Sequence, residues 1–245
     1  MRFQDGQRLR LEHPARGDRA PLTLRLSVNR RARRISVRID SRAGEAVVIA
    51  PSERTLPQAV AFAQSRGLWI AERLSTRAAG VAIAPGARIP VLGETARLES
   101  TGGAGAARFV REAEALVIRA GGDGEAYSRR VVNLLKAEAR RRLTDRTDHH
   151  LKTLGQGPVR LSIADPKSRW GSCSPHNRSI RYSWRIVLAP PAVLDYLAAH
   201  EVAHLVRADH SPAYWKVVEG LIGDHRPHRR WLKDHGATLH AIGAA

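Results

Sequence analysis

The sequence predicts an α+β protein: a β-rich N-terminal subdomain followed by a domain with an HExxH helix beside a β-ribbon. Three observations carry this expectation. Short runs that alternate apolar and polar residues fill much of the first half. After GGDG (Gly121–Gly124) the spacing of apolar residues becomes helical. HEVAHLVRADH (His200–His210) then places three histidines and a glutamate within eleven residues.

Composition sets the outer limits. The chain has 245 residues, 43% of them hydrophobic, enough for a sizeable core in one large domain or two small ones. No apolar run approaches the roughly 18 residues that span a bilayer, so no membrane segment is expected. The opening MRFQDGQRLRLEHPARGDRAP is charged throughout and has no apolar stretch of the signal-peptide kind. Cys173 is the only cysteine, which excludes an intrachain disulfide. A cytoplasmic location is the expectation from these features. The net charge of +18 and pI of about 11.4 point to polyanion affinity, or to coding bias, since most of the excess is arginine. The densest cluster, NRRARRISVR (Asn29–Arg38), has no aromatic residues on which bases could stack. Nonspecific, salt-sensitive contact with nucleic acid or another polyanion is expected over specific recognition.

The elements follow in order. Residues 1–21 are polar, contain Pro14 and Pro21, and read as a loose lead-in. Leu22–Val28, Ile35–Ile39 and Ala46–Pro51 alternate as half-buried strands and suggest an antiparallel meander. Leu56–Arg77 changes to helical spacing. Ala87–Gly93, Ala96–Ser100, Ala107–Glu112 and Ala115–Ala120 are short strands, and TGGAGA (Thr101–Ala106) between them reads as a hairpin turn. It lacks any phosphate-loop pattern. GGDG is the expected boundary, so 22–124 is one subdomain and 125–245 another. Ala126–Gly155 is a long amphipathic helix with Val131, Leu134, Leu135 and Leu143 on its apolar side. Val159–Asp165 and Ile180–Ala189 form the β-ribbon, joined by the turn-rich Pro166–Ser179. Pro191–Ala208 is apolar on nearly every side, so it is expected to be buried. Ser211-Pro212 has the form of a helix cap followed by proline at the first helical position.

The chemistry resides in that buried helix. His200 and His204 are four residues apart, so both rings leave the same face. Two imidazoles so placed can share one Zn²⁺, and Glu201, about 100° away, can act as base rather than ligand. A catalytic zinc needs a third protein ligand. His210 is favoured, because the chain turns there, and Glu219 on the next helix is the alternative. The ligand spacing matches HExxHxxGxxH, but Arg207 stands at the glycine and Met1 is the only methionine, which excludes a true metzincin. Arg169, Tyr214 and the backbone of Trp170–Cys173 are candidates to stabilise an oxyanion or hold substrate. His225, His228, His235 and His240 lie in an Arg- and Lys-rich tail and read as solvated; His149-His150 suits a helix end.

SRWGSC (Ser168–Cys173), YSWRIVLAP (Tyr182–Pro190) and LDYLAAHEVAHLVRADHSPAYW (Leu194–Trp215) resemble the bacterial YgjP-like metallopeptidase family, itself related to SprT-like and WLM zinc peptidases. VNRRARRISVRID (Val28–Asp40) and LWIAERL (Leu68–Leu74) extend the resemblance to roughly residues 22–235. It implies a zincin-like fold, one zinc on His200, His204 and His210, Glu201 as catalytic base, and a peptide or protein substrate. The chain departs from the family at Ser183, where asparagine is usual. The resemblance places WGSC beside the metal helix with Trp170 as a pocket wall; Cys173 reads as a small buried residue. Two alternatives stay open: a metal-dependent hydrolase of nucleotide phosphoanhydrides, and a SprT-like protease acting on DNA-bound protein.

Overall fold

The computed structural model describes residues 3–11, 22–40, 43–75, 81–166 and 169–243; most of the expected lead-in and Ser168 lie outside them. The chain divides into two compact units, Met1–Ala79 and Gly80–Ala245.

The first unit is a four-stranded sheet with two helices. The strands are β1 (Arg8–Leu11), β2 (Leu22–Val28), β3 (Ser36–Asp40) and β4 (Glu45–Ala50), in the order β1-β2-β4-β3. β3 and β4 are antiparallel, but β2 and β4 are parallel, so the expected meander is not formed. Alternation fixes which face of a strand is buried; it does not choose the neighbour. β1 was expected to be loose lead-in, yet it pairs with β2, and Leu11 joins the core. Of the helix expected over 56–77, residues 76 and 77 lie outside the described residues; the rest is two helices, α1 (Leu56–Ser65) and α2 (Gly67–Ser75), broken at Arg66 before Gly67, a poor helix former. Leu24, Leu26, Val48, Leu56 and Ile70 share this unit's core.

The second unit begins with β5 (Arg88–Val91), β6 (Glu94–Ser100), β7 (Arg108–Glu112) and β8 (Ala115–Ala120), in the order β5-β6-β8-β7. β6 pairs with β8 in parallel rather than with β7, so Thr101–Ala106 is a connection and not a hairpin turn. The boundary expected at Gly121–Gly124 is a turn inside this unit. Gly122 and Gly124 adopt φ of 80° and 46°, which accounts for the glycines. Yet Ile89, Leu98 and Ile118 before the turn share one core with Tyr127, Val131 and Leu135 after it. Turn residues report a change of direction; only burial reports a domain boundary.

Helix α3 (Gly124–Thr153) buries every fourth residue from Tyr127 to Leu151 and leaves Arg140–Arg142 exposed. Next come β9 (Arg160–Ala164), β10 (Gly171–Ser174) and β11 (Ser179–Ser183), with β11 between the other two. The expected two-stranded ribbon therefore has a third strand, β10, formed within the connection. β11 also ends early: Ser183 Oγ accepts a hydrogen bond from the Arg185 backbone N–H at 3.3 Å, and Trp184–Leu188 winds into a 3-10 helix. α4 (Pro191–Ala203), α5 (Pro212–Ile222) and α6 (Arg226–Ala241) complete the unit. Among the described residues, no helix is long and apolar enough to cross a membrane.

α4 is tied to α3 through one of its own carboxylates. Asp195 accepts from Arg146 at 2.6 Å and pairs with His150 Nε2 at 2.7 Å, both on α3. Burial pushes the Asp195 carboxyl up, but its bonds to His150 and Arg146 together hold it below its ordinary value. His150 is thus a buried partner of Asp195, beyond the helix-end role expected for it.

Candidate active site

α4 is apolar all round and nine of its residues are buried, which fixes its rotation and so the direction of His200 and Glu201. The helix was expected to run to Ala208. It stops at Ala203, with His204 as its C-cap, and the chain then turns through His210 to Ser211. Ser211 caps α5, its Oγ accepting from the Tyr214 backbone N–H at 3.4 Å and donating to Asp209 at 2.9 Å. This early turn brings the third histidine back to the other two.

The ligand atoms of His200, His204 and His210 lie within 4.8 Å of one another, the group among the described residues best able to hold a metal ion. His200 Nε2 and His210 Nε2 are 3.4 Å apart. Two nitrogens bound tetrahedrally at about 2.05 Å to one Zn²⁺ would be separated by about 3.3 Å. His204 Nδ1 donates to the Arg207 carbonyl at 3.2 Å, which fixes the proton there and frees Nε2 as a lone-pair donor. Burial and the neighbouring histidines push His200 down to about 3, and burial lowers His204. These two rings are therefore neutral at physiological pH, as metal ligation requires. The donor set fits a first-row divalent cation.

The rings are packed from behind by aromatics. Tyr214 stacks on His204 with centroids 4.7 Å apart and donates its hydroxyl to the His200 carbonyl at 2.9 Å. Tyr214, expected as a substrate contact, is fully buried behind the histidines and does not line the cleft beside Glu201. Trp215 lies 5.9 Å from His200 and 5.8 Å from His210. His225 also packs on it, stacked at 4.3 Å and buried, where a solvated ring was expected. Glu219 Oε1 lies 3.4 Å from His225 Nδ1 and is outside the three-histidine group.

Glu201 is 4% exposed and makes no ion pair with a described residue; burial pushes its carboxyl up to about 8. Gly171 on β10 lies directly against it. A Cβ built on Gly171 would stand 2.7 Å from Glu201 Cδ and 2.8 Å from Cγ. This role of the WGSC glycine was missed. Its signal was a glycine inside a strand, which often marks a close approach. Cys173 is half-buried, burial pushes its thiol up to about 11, and it is outside the three-histidine group.

Beside Glu201 a cleft of about 320 Å³ is lined by Arg169 and Trp170, which were expected there, and by Tyr196, Leu197, Arg229 and Leu232, which were not. The latter four belong to α4 and α6, whose meeting no sequence pattern announced. Trp170 packs against His240 with ring centroids 4.4 Å apart and planes tilted by 37°, so that histidine too is packed rather than solvated.

No curated protein matches the chain. Among solved structures, the chain is similar to the crystal structure of the metallopeptidase zymogen of Pyrococcus abyssi abylysin. The identity is 23%, with 38% of this chain and 93% of that chain covered and a TM-score of 0.35. A family model described as YgjP-like, metallopeptidase domain, matches residues 33–235, and the chain belongs to that family.

Proposed function

We propose that the protein is a zinc-dependent peptidase of zincin-like fold, with His200, His204 and His210 as metal ligands and Glu201 as general base. One observation carries the reading: three histidine nitrogens converge beside a buried glutamate that no described residue neutralises. Family membership supports a hydrolase that uses a metal ion. A bound Zn²⁺ would supply Lewis acidity and a water activated near neutral pH.

The chain's own residues do the rest. Glu201 takes a proton onto a carboxylate oxygen as water adds to the peptide carbonyl, then returns it to the amine as the C–N bond breaks. A cation held by the three histidines would lower the pKa of this carboxyl, which burial alone pushes up to about 8. The Arg207 carbonyl and the stacked Tyr214 ring hold the His204 imidazole, and the Tyr214 hydroxyl anchors the His200 backbone. β10 is an edge strand, so its outer side offers backbone groups to an extended peptide.

Metal content by mass spectrometry on the wild type, His204→Ala, His210→Ala and Glu201→Gln tests this. The wild type and Glu201→Gln should hold about one zinc per chain, and both histidine variants should lose it. Peptide cleavage should be absent in Glu201→Gln. Tight zinc in His210→Ala, or full activity in Glu201→Gln, would sink the assignment.

A further inference from the structure

The cleft beside Glu201 combines two kinds of lining. Its floor is apolar: Tyr196, Leu197 and Leu232 are each at most 9% exposed, with the Trp170 ring among them. That ring is held between His240, 4.4 Å away between centroids, and Gly236, where a Cβ would meet it at 3.2 Å. The remaining lining is cationic. Arg169 and Arg229 are both exposed, and neither forms an ion pair with a described residue.

Many arginines of this unit do find an acid. Arg111 pairs with Glu94, Arg146 with Asp195, Arg185 with Asp165 and Arg226 with Asp224. Arg229 instead lies over the Trp215 ring, its guanidinium carbon 5.0 Å from the centroid. That contact orients the head without neutralising it. Among the described residues, Glu201 is the only acid lining the cleft, and it pairs with neither arginine. The cleft thus holds a base, an apolar floor and two uncompensated guanidinium groups, whose planar forks match a carboxylate.

We propose that this cleft is a substrate subsite that binds a peptide carboxylate through Arg169 and Arg229, next to the scissile bond. The inference rests on the peptidase reading above. The carboxylate belongs either to an Asp or Glu side chain or to the free C-terminus of the peptide, and both present the same group to the two forks.

Two matched peptide sets separate these sources, cut by zinc-loaded wild type, Arg169→Ala, Arg229→Ala, Arg229→Lys and Arg229→Glu. One set carries Glu, Gln or Lys beside the scissile bond with an amidated end. The other set carries a free or an amidated C-terminus near that bond. The readout is the ratio of kcat/KM between matched peptides within each variant, so any general loss of activity cancels. The wild type should favour the carboxylate peptide about tenfold in one set, which identifies the source. Each alanine variant should lower that ratio about threefold to fivefold, the range of a partly exposed charge pair. Arg229→Lys should keep most of the ratio, and Arg229→Glu should favour Lys over Glu. Cleavage by the wild type with no discrimination in either set overturns the subsite and leaves the peptidase standing. If nothing is cleaved, the peptidase reading fails, and equilibrium binding of the same peptides to zinc-loaded Glu201→Gln decides the subsite alone. A carboxylate preference lost in Arg229→Ala supports it, and equal affinities overturn it.

Discussion

Replacing Gly171 with alanine should disable the enzyme while leaving its metal in place. The new methyl would stand 2.7 Å from Glu201 Cδ, 2.8 Å from Cγ and closer still to Oε1. Carbon contacts settle at about 3.5–4.0 Å, so the glutamate side chain must retreat by about 0.7 Å or more. It has little room, because Glu201 is 4% exposed. A misplacement of about 1 Å at reacting groups costs on the order of 100-fold, so kcat/KM should fall by about 30- to 100-fold. Overpacking costs about 1–3 kcal/mol, and removing a glycine from the unfolded chain returns about 0.4–1 kcal/mol. The net loss should lower Tm by only a few degrees. Steady-state cleavage, calorimetry and zinc analysis read the three effects, with Ser172→Ala, at an exposed position on the same strand, as control. Zinc should stay at about one per chain, because no histidine is touched. Activity within about twofold of wild type, or loss of zinc together with activity, would refute the argument that Gly171 sets the glutamate's position.

Three further outcomes follow from the same geometry. Tyr214→Phe removes the hydroxyl that serves the His200 carbonyl, so it should cost about 1 kcal/mol in denaturant unfolding and leave KM unchanged. Metal-free protein should lose stability relative to Glu201→Gln as pH rises from about 4.5 to about 8. In that window the unfolded chain releases the Glu201 proton and the folded chain, its carboxyl raised by burial, retains it; urea titrations at stepped pH read the slope. Asp195 works in the opposite sense. Its lowered carboxyl adds stability above its ordinary value of 3.8, and this is lost as pH falls through the lower folded value; Asp195→Asn should remove that acid dependence and loosen α4 at any higher pH.

The sequence by itself determined which side chains the candidate site brings together on α4. Four-residue spacing on a helix sets His200 and His204 side by side, with Glu201 offset, whatever surrounds them. The Ser211-Pro212 cap likewise announced where α5 begins, and apolar periodicity located most strands to within a residue or two. These features are local: backbone geometry and the nearest few residues decide them. What the tertiary structure decided was everything that needs distant segments to meet. Parallel pairing of β2 with β4 and of β6 with β8, and the merging of residues 88–120 with α3 into one core, depend on which burial is most favourable. The same holds at the site. The turn after His204 returns His210 to its partners, β10 lays Gly171 against Glu201, and α6 carries Arg229 and Leu232 to the cleft. A residue's type shows what it can do, but packing of segments far apart in the chain decides what it faces.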